Sequence, residues 1–213
     1  MKRIKNASLV LFSFLSISLT QAQQKAITEI GDEVILYDDG TWIYQNIDQA
    51  SENETPINPE KFEKDEKSTF LLKSNNLNVG FWLNPKLWSF SKALESPDFE
   101  YQLQLREGDL YGLVITEQVE IPLKLLKTIA LDNAREVAPD VKIIKEEYRT
   151  VNDLKVLQLQ FSGTMQGLKF SYYGYYFSNE NGSVQFITYT SPKLLEKYKP
   201  EIEKLLNGLV EIN

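Results

Sequence analysis

The chain has 213 residues, 23 basic and 30 acidic, for a formal net charge of −7, with no histidine and no cysteine. Without imidazole or thiol, Ser-His and Cys-His nucleophilic catalysis is excluded, as is ordinary zinc, copper or haem ligation. An acidic chain with four arginines is also poorly suited to holding phosphate backbones, so no nucleic-acid partner is expected.

In chain order, residues 1–22 read as a secretory signal peptide. Lys2, Arg3 and Lys5 precede the apolar run Ala7 to Leu19, and Thr20-Gln21-Ala22 offers a small residue at a cleavage edge. The apolar run is too short to span a bilayer. The expectation is a periplasmic or secreted protein with no stable membrane anchor after cleavage. Losing three lysines and arginines takes the 23 basic side chains to 20 against 30 acids, and the charge from −7 to −10. With no cysteine there is neither a disulfide framework nor a lipid-bearing residue, so stability must come from a hydrophobic core.

Residues 23–45 read as a small β-meander, with strands over 26–30, 33–37 and 41–45 separated by Gly31-Asp32 and Asp38-Asp39-Gly40. Asp38 and Asp39 can bond backbone amides, and Gly40 suits a bulged hairpin, so turn chemistry explains the pair better than calcium ligation. The calcium loop pattern of alternating acids before a glycine is absent. Alternation places Trp42 and Tyr44 on one face, where they are candidate binding residues. Three strands of about five residues are too small to stand alone, so this module is expected to lean on the main domain or on a partner. Residues 46–67 are rich in Glu, Asn, Lys and Pro and read as a polar linker, with a short helical piece near 59–67.

From residue 68 the pattern is dense. Runs at 69–72 and 79–83 flank Ser74-Asn75-Asn76 as a hairpin, and Asn84-Pro85 starts a turn. Phe99, Tyr101, Leu103 and Leu105 alternate with polar residues in a half-buried strand. The next run, 110–116, is apolar on both faces, as for a strand covered above and below. Pro122 opens a helix carrying Leu126, Ile129, Ala130, Ala134 and Val137 at helical spacing, which ends before Pro139. Four strands follow at 141–151, 154–162, 168–177 and 183–190. Ser191-Pro192 caps a last helical segment, whose final turns (Ile202, Leu205, Leu206, Leu209) are read as starting at Pro200. The fold class is α+β, an antiparallel sheet flanked by helices, in a domain spanning 68–213.

The motif VGFWLNPKLWSF, the helix from Pro122, the aromatic strands through LKFSYYGYYF and VQFITYTSP, and the ending KLLEKYKPEIEKLLNGL resemble the photosystem II extrinsic subunit P-like (PsbP-like) fold. The resemblance covers residues 68–210 and implies an α-β-α sandwich with a non-catalytic binding or assembly role. No functional residues carry over. The segment GDEVILYDDGTWIY is similar to a short module of exported Bacteroidetes proteins.

The remaining motifs favour structure over chemistry. In 170–177, Phe170, Tyr172, Gly174 and Tyr176 share one strand face, and Ser171, Tyr173, Tyr175 and Phe177 the other. Core packing is the preferred reading, with Tyr173 and Tyr175 kept as candidate binding residues. Ser89 to Lys92 matches S-x-x-K without the companion elements of the penicillin-interacting enzymes. Glu146 and Glu147 are adjacent on a strand and point apart. Trp82 and Trp88 are expected to anchor the core. No catalytic residue, metal or cofactor is expected. The functional expectation is an exported, non-enzymatic accessory or binding protein of the envelope, acting through protein–protein contacts. The alternative is a small-molecule or lipid binder, or a weak hydrolase, using a cleft between sheet and helix; a self-associating structural role is the third.

Overall fold

The computed structural model describes residues 24–27, 33–36, 42–44, 55–92 and 99–212. Residues 1–50 and 51–213 form two separate compact units. The signal segment lies outside the described residues, as does the Asp38-Asp39-Gly40 turn. In the first unit, β1 (Gln24–Ile27), β2 (Glu33–Leu36) and β3 (Trp42–Tyr44) pair in that order, each antiparallel to the next.

The second unit begins with β4 (Ile57–Phe62), inside the stretch expected to be a linker with a helical piece. This is a correction. β4 lies parallel to β10 (Lys142–Val151) and forms one edge of the main sheet. Its polar composition is that of an exposed edge strand, with only Asn58 and Phe62 partly buried. Period-two hydrophobicity is therefore missing, and only the long-range pairing reveals the strand. It also makes the sheet mixed instead of wholly antiparallel.

The other strands of that sheet are β7 (Trp88–Lys92), β8 (Tyr101–Leu105), β9 (Tyr111–Glu117), β11 (Leu154–Met165), β12 (Leu168–Asn179) and β13 (Gly182–Thr190). Their order is β4-β10-β11-β12-β13-β9-β8-β7. Tight turns set the long meander. Asn152 and Asp153 adopt φ of 47° and 63° between β10 and β11, and Gln166 and Gly167 adopt 51° and 81° between β11 and β12. Asparagine, aspartate and glycine tolerate this left-handed region, which matches the right-handed twist of the paired strands. A smaller antiparallel sheet has the order β14-β6-β5, built from β5 (Phe70–Lys73), β6 (Val79–Leu83) and β14 (Leu209–Glu211).

Two cores lie on opposite faces of the main sheet. On one face, α2 (Pro192–Leu206) and the small sheet pack Leu195, Ile202, Leu205, Phe81 and Leu83 against Tyr173, Tyr175, Val184 and Phe186. On the other, α1 (Leu123–Val137) packs Leu126, Ala130 and Leu131 against Leu157, Leu159, Phe161 and Tyr176. The split follows from alternation on β11 and β12, both of which are apolar on two faces. The architecture is α+β, mostly sheet with two helices.

Two further expectations are corrected. α2 runs unbroken from Pro192, with Pro200 inside it instead of at its start. Pro200 removes one backbone donor, yet Leu195 and Tyr198 before it and Ile202, Leu205 and Leu206 after it bury into the same core, which holds the helix together. β9 is not covered on both faces. α1 lies over β11 and β12, so Leu113 and Ile115 on its side of β9 stay half-exposed while Gly112 and Val114 are buried.

Candidate functional site

The tyrosines singled out from sequence sit at the centre of a buried polar cluster on the α2 face. Alternation on β10 points Glu147 and Arg149 the same way, toward α2, while Glu146 points to the opposite face and bonds Lys127 of α1 at 3.0 Å. Arg149 is 4% exposed. Its Nε donates to Glu147 Oε1 at 2.5 Å, and its Nη1 to the Tyr175 hydroxyl at 2.9 Å and to Glu203 Oε1 at 3.4 Å. The Tyr173 hydroxyl donates to Glu203 Oε1 at 3.0 Å, and the Tyr175 hydroxyl to Asn207 Oδ1 at 2.9 Å. The guanidinium lies 4.5 Å from the Phe62 ring centre, so β4 closes the cluster from the sheet edge. Asn58, also on β4, donates to Glu147 Oε1 at 3.1 Å, and Lys145 bonds Glu147 Oε2 at 3.0 Å.

The electrostatics follow from this wiring. Burial alone would raise the Glu147 carboxyl, but hydrogen bonds from Asn58, Arg149 and Lys145 outweigh it and hold the group below its ordinary range. Burial opposes the charge on Arg149, and Tyr175, Tyr173 and Glu147 more than compensate, so the guanidinium stays ionised. Burial pushes the Tyr175 hydroxyl up to about 12, and that of Tyr173 higher still. Both tyrosines are 0% exposed. They present no surface, and their hydroxyls serve the interior network; the expectation of a tyrosine binding face here is corrected.

Trp42 and Tyr44 lie in β3, and their side chains lie outside the described residues. Trp88 is buried, as expected of a core anchor. Trp82 is half-buried beneath Lys64, whose Nζ is 5.1 Å from its ring centre. Ser89 belongs to β7, where its Oγ bonds the Gln104 carbonyl at 3.2 Å instead of opening a helix. An open depression of about 490 Å³ is lined by Lys61, Phe62, Glu63, Lys64, Asn152 and Asp153. It lies by β4 and the β10–β11 turn, not between sheet and helix. Among the described residues, no three acids cluster to hold a metal ion.

A second buried acid was not anticipated. Glu100 accepts from Ser74 Oγ (2.7 Å), Thr116 Oγ1 (2.7 Å), and the backbone and side-chain nitrogens of Asn75 (2.5 and 2.8 Å). Burial would raise its carboxyl, but these donors outweigh it and lower it. This pins the β5–β6 turn onto the main sheet. On the α1 face, the Tyr176 hydroxyl is fully buried with no hydrogen-bond partner among the described residues, and burial drives it far above its ordinary value.

A partly exposed feature with a clear pattern is an aromatic row. Register places Tyr111, Tyr189, Tyr172 and Phe161 side by side across β9, β13, β12 and β11. Their ring centres are 5.4, 5.6 and 5.0 Å apart in turn. Phe186 and Val114 face the α2 core, so Tyr189 and Tyr111 face the other way. The three tyrosines are half-exposed, because α1 covers only the β11–β12 part of this face. Tyr172 shares a strand face with Phe170 and Tyr176, as period two requires, but the row depends on three strand registers that no local pattern specifies. Likewise, Arg149 left only a weak trace, the Glu147-x-Arg149 spacing of opposite charges on one strand face.

No family model matches the chain, and no curated protein matches it. Solved structures do. The cyanobacterial PsbP protein of Synechocystis superposes with a TM-score of 0.52 at 15% identity, over 69% of this chain and 94% of that one. A Pseudomonas aeruginosa protein of unknown function matches with a TM-score of 0.43 at 14% identity, over 59% and 83%. A Bacteroides thetaiotaomicron protein matches with 0.42 at 8% identity, over 64% and 46%. The likeness to the Synechocystis protein shows a PsbP-like fold.

Proposed function

We propose that this chain is an exported, non-enzymatic accessory or binding protein of the cell envelope, acting through protein–protein contacts. Its larger unit is read as an α-β-α sandwich and its first unit as the short exported-protein module. The observation that supports a contact role is the half-exposed row Tyr111, Tyr189 and Tyr172 on the open part of the sheet. Tyrosines offer rigid, amphipathic area and are enriched where partners bind. The inner polar groups, by contrast, are spent on one another around Arg149 and Glu100.

The test is photo-cross-linking in the native envelope, with the probe at Tyr111 or Tyr189 in the chain from Gln23 onward. The expected result is one dominant captured protein, lost when both residues become alanine. Recovery of the monomer alone from both positions refutes the reading.

A further inference from the structure

One end of the second unit carries an apolar projection outside the cluster and the row above. Met165 and Leu168 pair across the β11–β12 turn and are 42% and 74% exposed. Beside them, the end of α1 and the start of β10 supply Val137, Ile143 and Ile144, which are 57%, 40% and 59% exposed. These groups share one end of the second unit. A Cβ on Gly163 would meet Val141, Phe170 and Ala138 within 3.2 Å. Asp140 accepts from the Thr164 amide at 2.7 Å, tying the α1–β10 loop to the hairpin. Among the described residues, a Cβ on Gly167 at the tip would meet nothing within 4 Å.

We propose that this hairpin tip dips into the surface of an anionic lipid bilayer, with Met165 and Leu168 entering the apolar boundary and Lys142 and Lys169 meeting lipid phosphates. Two observations favour lipid over a protein occupant. First, Met165 to Leu168 are all exposed and a Cβ on Gly167 would meet nothing within 4 Å among the described residues, so the hairpin end offers a projection, around which a bilayer deforms. Second, the groups are layered as in a membrane interface. Lys142 and Lys169 are exposed and lie next to the tip on the other side of the hairpin, opposite Ser162 and Thr164. Phe170 and Tyr172 follow further inward on the apolar side. Four residues of strand place the Tyr172 row roughly 13 Å behind the tip, and an interfacial element enters about 5–10 Å. The tyrosines therefore come to headgroup level, where amphipathic rings are favoured. The acids of α1 and the loop beside the tip are Asp140, turned back to Thr164, and the exposed Glu136, while Arg135 is paired with Asp132; Glu107 and Asp109 lie at the same end of the sheet but beyond β13, in the turn before β9. Two lysines at the tip of an otherwise acidic chain orient it with this end toward negative lipid. Such contact is peripheral, and it stands whether or not the tyrosine row binds a protein.

The experiment is co-sedimentation of the chain from Gln23 onward with vesicles of phosphatidylcholine alone or mixed equally with phosphatidylglycerol. The expected result is binding to the mixed vesicles at low salt. Lys142→Gln with Lys169→Gln should weaken partitioning by about thirty-fold, and Met165→Ser with Leu168→Ser by about tenfold or more. Both pairs are exposed, so the melting temperature should not move, and the variants share the N-terminal unit with the parent, which isolates the tip. The proposal is overturned if the parent stays in solution with both vesicles, if either double variant binds as well as the parent, or if the tip variants instead abolish a dimer on size exclusion.

Discussion

Replacing Arg149 with methionine removes one partner of a buried ion pair while keeping much of its apolar stem. Glu147 is then left at 10% side-chain exposure with Asn58 and Lys145 as remaining donors. Breaking a buried pair costs about 3–5 kcal/mol. The two surviving donors place this site at the low end, about 3 kcal/mol. The hydroxyl of Tyr175 also loses its Arg149 donor, and Phe62 loses the guanidinium over its ring. For a unit of this size, about 3 kcal/mol corresponds to a melting temperature lowered by roughly 6–12 °C. The sign with pH follows from Glu147. Its folded carboxyl is held below its unfolded value, so it stabilises the fold above about pH 4.3 and that contribution is lost as pH falls through the lower folded value. Arg149→Met should therefore cost most at neutral pH and progressively less in acid. Calorimetry at pH 7 and below pH 4 measures both. Converting Glu147 to leucine as well should recover part of the loss, because two apolar groups leave no stranded charge. A single variant within 2 °C of the parent at pH 7, or a double variant worse than the single, would refute the reasoning.

Glu100→Gln places an amide where two oxygens accept four donors, and should cost about 1–2 kcal/mol at pH 7. Because the folded carboxyl is lowered, the gap between parent and variant in urea unfolding should narrow as pH drops below about 4.3; a constant gap counts against the assignment. Pro200→Ala restores a backbone donor at an exposed helix-interior position, and should raise stability by about 1–3 kcal/mol. A lower urea midpoint would mean that the proline's fixed φ matters more than the bond it removes.

Much of the second unit was legible because its elements announce themselves locally. Tyr101, Leu103 and Leu105 alternate, Pro122 and Pro139 bracket α1, and Asn152-Asp153 and Asn179 to Gly182 punctuate long β-branched and aromatic runs; each element appears close to where those signals put it. The two faces of 170–177 also sort into the two cores as period two requires. β4 and β14 were invisible for the opposite reason. They are short edge strands, and β4 is polar; both exist because a distant strand offers an open row of backbone groups. The candidate sites were the least legible part. Composition decided which chemistry was unavailable, since histidine and cysteine are absent, and alternation decided that Tyr173 and Tyr175 share a face. Whether that face meets water, a ligand or an arginine depends on what the chain lays over it. Only the tertiary structure settled this, by bringing Arg149, Glu203 and Asn207 from 26 to 32 residues away onto the Tyr175 side and by letting α1 stop short of β13 and β9. Hydrophobic pattern specifies that a face is buried, but the partner that buries it is chosen by long-range register and helix placement, which no local window of sequence contains.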